Sequence, residues 1–314
     1  MNAMLAVLLS WKAAIVYAFL ASALFVHFRG HDRIKFYRQI TDHSTFMAPY
    51  NALMYFFSAI PNKPFVDVDR FPELKPLTDN WQMMRQEALQ LFDEGYIRAA
   101  AGYNDLGFNS FFRRGWKRFY VKWYDKPLPS AQTLCPKTVA LVQSIPSING
   151  AMFALLPPGG KLGKHRDPFA GSLRLHLGLV TPNSAECNIH VDGQPYYWRD
   201  GEAVMFDETF IHWAENNTDV QRVILFCDIE RPLTSRLMTR INHWYKANVI
   251  SASQTENMEG DRVGWLNRVF SLVYYLRVPG KALKHRFRAL YYVVKWVIVL
   301  ALVYWVFLQG LNWQ

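Results

Sequence analysis

The stretch HRDPFAGSLRLHLGLV, residues 165–180, decides how this chain of 314 residues is interpreted. It opens with an H-x-D motif, His165 and Asp167, and side chains two residues apart on an extended segment point to the same side. An imidazole and a carboxylate placed in this way can bind one metal ion. An apolar run follows, in which Arg174 and His176 are same-side neighbours. The stretch therefore predicts a metal site beside a strand that supplies further polar donors.

Short segments rich in β-forming residues surround this stretch, and turn signals such as Asp192-Gly193 separate them. The predicted strands are Phe153–Leu156, Leu173–Val180, Cys187–Val191, Tyr196–Trp198, Ala203–Phe206 and Arg222–Ile229. Brief strands at even spacing are typical of a β-sandwich or a small barrel, and the jelly-roll or cupin type is the leading candidate. We expect a mainly β catalytic core over about residues 150–232, with flanking helices. One of these helices is expected from about Asp79, as its N-cap, to Glu94.

Two further residues complete the chemical pattern. His212 follows the H-x-D motif by 47 residues, near a predicted strand end, and Arg222 follows ten residues later. Two histidines and one carboxylate form the facial triad of non-haem iron(II) oxygenases, which leaves coordination positions open for a cosubstrate and O2. Arg222 is placed to pair with a carboxylate of that cosubstrate. His190, in contrast, is interpreted as an ordinary strand residue.

These motifs resemble the aspartyl/asparaginyl β-hydroxylase family of dioxygenases, and within it the bacterial lipid A 2-hydroxylases. The resemblance is carried by HRDPFAGSLRLHLGLVTPN (165–183), VDGQPYYWRDGEAVMFDETFIHWAENNT (191–218) and RVILFCDIERP (222–232). It extends to GWKRFYVKWYD (115–125) and to the hydrophobic ends of the chain.

The resemblance implies a double-stranded β-helix that binds Fe(II) and consumes 2-oxoglutarate and O2. It matches His165 and His212 to the family's metal histidines. It also matches Arg174, His176 and Arg222 to the contacts of 2-oxoglutarate. Some relatives have glycine where this chain has Asp167, so a full triad is expected here. Where some relatives use a serine for 2-oxoglutarate, this chain has Ala154. The implied substrate is lipid A, hydroxylated at the 2-position of a secondary acyl chain on the cytoplasmic face of the bacterial inner membrane.

A basic and aromatic segment, SFFRRGWKRFYVKWYD (110–125), has two interpretations. It is either a solvated strand or loop, or the binding surface for a phosphorylated lipid headgroup. The candidate headgroup ligands are Arg113, Arg114, Lys117 and Arg118.

The two ends of the chain are apolar. Residues 4–28 contain one charge, Lys12, and residues 289–308 contain Lys295; each run is about as long as the ~20 residues that a membrane span needs. The first run is too long and lacks the preceding basic region of a signal peptide, so a retained transmembrane helix is expected. Basic residues flank both runs on their inner sides, which predicts a cytoplasmic domain between them.

The predicted organisation is a transmembrane helix at 1–29, a dioxygenase domain at 30–255 and a second transmembrane helix at 289–309. The segment 256–288 between them is interpreted as an interfacial or packing helix with a basic linker.

The net charge is +10, and the three cysteines are scattered, which favours an anionic partner and a reducing compartment. No recognition helix or zinc finger is present to support nucleic-acid binding. Two other functions remain open: hydroxylation of aspartate or asparagine in proteins, and a non-catalytic lipid-binding module anchored in the membrane. Membrane anchoring favours a lipid substrate over the first, and the full set of metal and cosubstrate residues argues against the second.

Overall fold

The computed structural model describes residues 10–39, 42–99, 105, 107–124 and 126–305. Within them, eleven strands form two antiparallel sheets. The strands are β1 (Phe65–Val66), β2 (Lys117–Trp123), β3 (Lys126–Pro127), β4 (Ile148–Leu156), β5 (Lys161–His165), β6 (Ser172–Val180), β7 (Cys187–Val191), β8 (Gln194–Tyr197), β9 (Ala203–Phe206), β10 (His212–Asn216) and β11 (Arg222–Glu230).

From β4 onward the chain passes back and forth between the two sheets, except at the β7–β8 hairpin, which lies within the smaller sheet. The larger sheet has the order β1-β9-β6-β11-β4-β2-β3, and the smaller one has the order β5-β10-β7-β8. Strands β4, β6, β9 and β11 thus lie in one sheet, while β5, β7, β8 and β10 lie in the other. This winding is the jelly-roll arrangement that the even spacing of short strands predicts.

The burial of the strands explains their composition. Strands β4, β6 and β11 are buried along nearly their whole length, whereas β7 and β10 alternate between buried and half-buried residues. Residues of the two sheets share one apolar cluster, and helices pack on β2, β4 and β6 of the larger sheet. A strand covered on both faces needs a continuous apolar run, and a strand with one wet face needs alternation.

Helices surround this core. They are α1 (Trp11–Phe28), α2 (Phe36–Gln39), α3 (His43–Phe46), α4 (Ala48–Phe56), α5 (Lys75–Asp79), α6 (Trp81–Asp93), α7 (Asn109–Phe112), α8 (Pro129–Leu134), α9 (Pro136–Gln143), α10 (Arg236–Tyr245), α11 (Trp265–Arg286) and α12 (Arg288–Val303). Helix α6 packs on β6 and α9 packs on β2 and β4, while α1 packs on α3 and α4.

The six predicted strands are all present, within about three residues at each end except at the start of β4. Strand β4 begins at Ile148, five residues before the predicted start. The expected turn at Asp192-Gly193 is also present, with φ angles of 52° and 82°, and joins β7 to β8. Strands β5 and β10, which carry His165 and His212, were not predicted as strands.

The expected capping of the helix near residue 80 is wrong. Helix α6 begins at Trp81, and its N-cap residue Asn80 makes no side-chain capping bond. Asp79 ends the preceding short helix α5 and accepts a hydrogen bond from Lys75 at 2.6 Å. The helix buries Met84, Ala88 and Leu91 on one face.

Helix α1 is long and apolar enough to cross a membrane, and 11% of this span is buried inside the protein. It is the one candidate span among the described residues. Helix α12 covers the described part of the predicted C-terminal span, whose last residues, 306–309, lie outside the described residues.

Candidate metal and cosubstrate site

A pocket between the two sheets brings the candidate residues together. It encloses about 470 Å³ of space, which includes its open mouth. Its walls are His165, Asp167, Arg174, His176, His212 and Arg222, together with apolar side chains that include Phe108, Phe111, Trp116, Leu162, Ile189, Trp198, Phe206 and Phe226.

The H-x-D motif and His212 meet because β5 pairs with β10. In this register His165 lies directly opposite His212, and their ring centroids are 4.2 Å apart. One nitrogen or oxygen ligand atom from each of His165, Asp167 and His212 lies within 4.8 Å of the others. A backbone hydrogen bond of 2.9 Å from the Asp167 amide to the Glu208 carbonyl holds the two ligand loops side by side.

The hydrogen bonds of the two histidines orient them for metal binding. The Nδ1 of His165 donates to the Gly163 carbonyl at 2.7 Å, and the Nδ1 of His212 donates to the Phe210 carbonyl at 3.0 Å. In each ring the Nε2 then keeps its lone pair, as it does in metal-ligating histidines whose other nitrogen is bonded to a carbonyl. The three donor atoms and the two tautomers therefore fit a divalent transition metal.

Electrostatics favour the protonation states that a metal needs. Burial lowers the pKa of His165 and lowers that of His212 to about 3, so both imidazoles are neutral at neutral pH. Burial alone would raise the pKa of Asp167, but Arg174 and the two histidines outweigh it and bring the value to about 2. A neutral, neutral and anionic donor set results.

Arg174 pairs with two carboxylates. Its Nη2 donates to Asp167 Oδ2 and its Nε donates to Asp228 Oδ1, each at 2.8 Å. Its guanidinium also lies 3.7 Å from the Phe226 ring centroid. Arg174 thus holds Asp167 in place, and it also lines the pocket. Its expected contact with 2-oxoglutarate stays a prediction.

Arg222 and His176 remain available. Arg222 is 2% exposed, and no hydrogen bond or ion pair to its side chain occurs among the described residues. Its guanidinium lies 4.4 Å from the Trp198 ring centroid, and burial lowers its pKa to about 10. Both ring nitrogens of His176 also lack a partner in the described part of the chain. Buried cationic and polar groups are normally paired, so this end of the pocket fits an anionic ligand.

The four candidate headgroup ligands do not form one site. Arg118 is 1% exposed and forms a buried ion pair with Asp105 at 3.1 Å, so the expectation that it binds a lipid phosphate is wrong. Arg113, Arg114 and Lys117 are exposed. Arg114 lies beside the pocket rim, where its Nη1 donates to the Lys161 carbonyl at 3.3 Å.

The sequence analysis did not identify several residues of the site. Asp228 accepts hydrogen bonds from Arg174 and from the Tyr124 hydroxyl, the latter at 3.0 Å. Glu208 accepts one from Ser172 at 2.8 Å, and burial raises its pKa to about 8. Asp228 had a visible signal, because it is the one charge inside the apolar run VILFCDI, residues 223–229. Tyr124 had none, because it ends a segment that was interpreted as solvated or lipid-facing.

Comparison with known proteins agrees with this geometry. Residues 78–232 match the family described as aspartyl/asparaginyl beta-hydroxylase. The ornithine lipid ester-linked acyl 2-hydroxylase of Rhizobium tropici is 40% identical over 135 residues, which cover 43% of this chain and 47% of that protein. The human aspartyl/asparaginyl beta-hydroxylase is 26% identical over 167 residues, which cover 51% of this chain and 21% of that protein.

The chain thus spans about half or less of the length of these relatives. Among solved structures, a Pseudomonas putida prolyl-4-hydroxylase aligns over 49% of this chain and 88% of its own, with 18% identity and a TM-score of 0.33.

Proposed function

We propose that this protein, whose residues 78–232 match the family described as aspartyl/asparaginyl beta-hydroxylase, is an iron(II)- and 2-oxoglutarate-dependent dioxygenase that hydroxylates lipid A. The reaction would add one oxygen atom of O2 to the 2-position of a secondary acyl chain. The other atom would enter succinate, formed with CO2 from 2-oxoglutarate. The observation that carries the proposal is one pocket with a three-ligand metal site at one end and an unpaired buried arginine at the other.

His165, Asp167 and His212 would hold iron(II), which, when bound, supplies the activation of O2. Arg222 would bind a carboxylate of 2-oxoglutarate, and His176 would donate a hydrogen bond to it. Away from water these charge-assisted contacts are strong. Arg174 would keep Asp167 ionised and aimed at the metal, because it donates to that carboxylate and is itself fixed by Asp228.

An acyl chain is the substrate that the apolar part of the pocket suits. Phe108, Phe111, Trp116 and Leu162 belong to its lining, and Phe111 lies edge-on to His165 with ring centroids 4.8 Å apart. An apolar wall beside the metal binds a hydrocarbon and excludes water from the reacting carbon. The Rhizobium relative, named for acyl 2-hydroxylation, supports the same substrate class.

Charge and anchoring favour lipid A over other lipids. Exposed Arg113, Arg114 and Lys117 lie on the segment next to the rim and suit a phosphorylated headgroup. Helix α1 would place this rim at a membrane. We propose the inner membrane, with the domain on the cytoplasmic side, where a reducing environment also keeps the three buried cysteines as thiols.

The test is mass spectrometry of lipids incubated with the purified full chain, Fe(II), 2-oxoglutarate and O2. Lipid A, ornithine lipid and an aspartate- and asparagine-containing peptide are offered in parallel. We expect one added oxygen on a lipid A acyl chain, dependent on 2-oxoglutarate. If only ornithine lipid or only the peptide is hydroxylated, lipid A is not the substrate. If the iron-loaded protein forms neither a hydroxylated product nor succinate, it is not a 2-oxoglutarate-dependent dioxygenase.

A further inference from the structure

The end of helix α1 contacts both loops that carry the candidate metal ligands. The Arg166 side chain, between His165 and Asp167, donates from Nη1 to the Val26 carbonyl at 2.8 Å. Arg29, the C-cap residue of α1, donates from Nη2 to Asp207 at 2.5 Å and from Nη1 to Thr209 at 2.6 Å. Asp207 and Thr209 belong to the turn that leads into His212. One short stretch, Val26–Arg29, therefore contacts both sides of the metal site.

The following residues of the chain strengthen the hold on the H-x-D loop. His43 donates from Nε2 to the Arg166 carbonyl at 2.7 Å. Asn51 donates to the Pro168 carbonyl at 2.9 Å and accepts from the Ala170 amide at 3.0 Å. A loop without regular structure thus obtains its backbone hydrogen bonds from the N-terminal segment, and these bonds satisfy groups that burial would otherwise leave unpaired.

Arg29 is the central contact on the other loop. Its side chain is 3% exposed and that of Asp207 is 2% exposed. The guanidinium lies between the rings of Tyr55 and Phe210, at 3.7 Å and 3.9 Å from their centroids. Phe210 is also the residue whose carbonyl accepts from Nδ1 of His212. Arg29 therefore contacts the residue that orients the second candidate metal histidine.

We infer that the end of the apolar helix, Val26–Arg29, together with His43 and Asn51, is a structural part of the metal site and positions both ligand loops. Arg29 acts through Phe210, Asp207 and Thr209, and so is a positioning residue. The inference deepens the proposed function and rests on it, since it takes His165, Asp167 and His212 as the metal ligands. It implies that the orientation of the anchoring helix affects how well the metal is held.

The experiment is a Co(II) titration of the full chain in detergent, followed by the visible absorption of bound Co(II). In Arg29→Ala we expect binding weaker by about tenfold or more, the lower limit usual for partners that orient metal ligands. Arg33→Ala is the matched control, because exposed Arg33 contacts only the Phe28 ring among the described residues, at 5.0 Å. Its Kd should stay within about twofold of the wild type, which is below that limit.

A purely structural role for Arg29 would lower the Tm of the metal-free protein and leave its Kd for Co(II) unchanged at low temperature. That result would overturn the inference. If Arg29→Ala does not fold, Arg29→Lys keeps the charge beside Asp207 but removes the forked contact with Thr209. An unchanged Kd in Arg29→Lys would then overturn the inference equally. A wild-type chain that binds no Co(II) would overturn the metal site itself, and the inference with it.

A second observation, independent of the metal site, concerns the outer faces of α3, α4 and α10. Large apolar side chains are exposed there: Phe46 by 71%, Leu53 by 44% and Phe56 by 81%. Leu237 and Trp244, seven residues apart on one face of α10, are exposed by 61% and 62%. Isolated exposed apolar residues are ordinary, but a group of this size on neighbouring helices indicates an interaction surface.

The two groups lie side by side. Helices α4 and α10 pack together through their inner faces, where Met54 and Met238 share one apolar cluster and Tyr50 donates to Asn242 at 2.8 Å. Helix α1, the candidate membrane span, packs on α4. None of the sequences HSTF, APYNALMYF and RLMTRINHWY contains an acidic residue, and α10 exposes Arg236 and Arg240.

We propose that these outer faces form a second membrane contact, lying in the headgroup region of an anionic bilayer beside α1. Apolar and basic side chains without acids are the composition of helices that lie in this region. The contact would orient the domain on the membrane, in addition to the anchoring by α1.

The test attaches nitroxide labels to Phe56→Cys and Trp244→Cys in the full chain, reconstituted in nanodiscs of phosphatidylethanolamine and phosphatidylglycerol. The native cysteines are buried and so are poor labelling sites. Compared with Asp219→Cys, an exposed position between β10 and β11, both labels should be more accessible to O2 and less accessible to an aqueous nickel chelate. Accessibility to nickel equal to that of the control would overturn the proposal. Protection from both reagents would indicate a protein partner, such as a second copy, and would overturn it too.

Discussion

The two ends of the pocket differ in their charges, although both lie along the same pair of strands, β6 and β11. At the acidic end, Asp167 and Asp228 surround Arg174, so every charge has a partner. At the basic end, Arg222 and His176 contact aromatic rings and, among the described residues, have no carboxylate within hydrogen-bonding reach. Buried carboxylates attract a cation and buried unpaired donors attract an anion. This difference supports our proposal of a metal end and a cosubstrate end.

The largest effect expected is that of His212→Ala. It removes one of three ligand atoms at the acidic end, and we expect no detectable Co(II) binding or turnover. His190→Ala is the control, since His190 pairs with Trp213 in the adjacent strand and stacks on its ring at 4.4 Å. Equal loss in both variants would show that the smaller sheet, not the metal site, had been damaged.

Arg222→Ala tests the basic end. Removing a buried charge that pairs with a ligand carboxylate costs about 2–5 kcal/mol, which corresponds to about 30-fold to about 4,000-fold weaker binding of 2-oxoglutarate. We expect Co(II) binding without 2-oxoglutarate to stay unchanged, because Arg222 belongs to the other end. The dependence of succinate formation on 2-oxoglutarate concentration measures the effect, and an unaltered dependence would contradict the assignment.

The dependence of stability on pH sharpens the same comparison, because burial holds the pKa of His176 well below its ordinary value of 6.5. Below pH 6.5 the unfolded chain binds a proton that the folded chain rejects, so stability falls as pH falls. His176 should contribute about 1.4 kcal/mol per pH unit to this loss. Denaturant unfolding of metal-free wild type and His176→Asn between pH 7 and pH 5 measures it. If the free energy of unfolding changes with pH equally in both proteins, His176 does not contribute to this loss.

The smallest effect expected is that of Tyr124→Phe, which removes the hydroxyl that donates to Asp228 at 3.0 Å. A hydrogen bond of this kind contributes about 1 kcal/mol to the free energy of unfolding, somewhat more when its acceptor is charged. Tyr197→Phe, at a half-exposed tyrosine, is the control, and denaturant unfolding of both variants measures the difference. If Tyr124→Phe lowers the free energy of unfolding no more than the control does, the hydrogen bond from Tyr124 does not stabilise the acidic end.

Much of this architecture was predictable from residue patterns alone. Apolar runs bounded by turn residues located six strands, and the H-x-D motif with His212 named the candidate ligands that the structure brings together. Strand β5 escaped prediction because most of its residues are exposed or half-buried. Strand β10 escaped prediction because two of its three buried positions hold the polar residues His212 and Asn216, which breaks the apolar pattern. The family resemblance named the candidate residues but did not specify their partners.

The sequence by itself determined where six of the strands lie along the chain, the candidate metal ligands and the apolar character of α1, because these follow from local composition and spacing. Only the tertiary structure decided which arginine is free. Arg118 is paired with Asp105 and Arg174 with two carboxylates, whereas Arg222 lies beside an indole ring. All three are arginines in or beside apolar runs and look alike in sequence. Their roles differ because the fold decides which side chain lies beside each guanidinium, a carboxylate or an aromatic ring, and residue patterns do not show this.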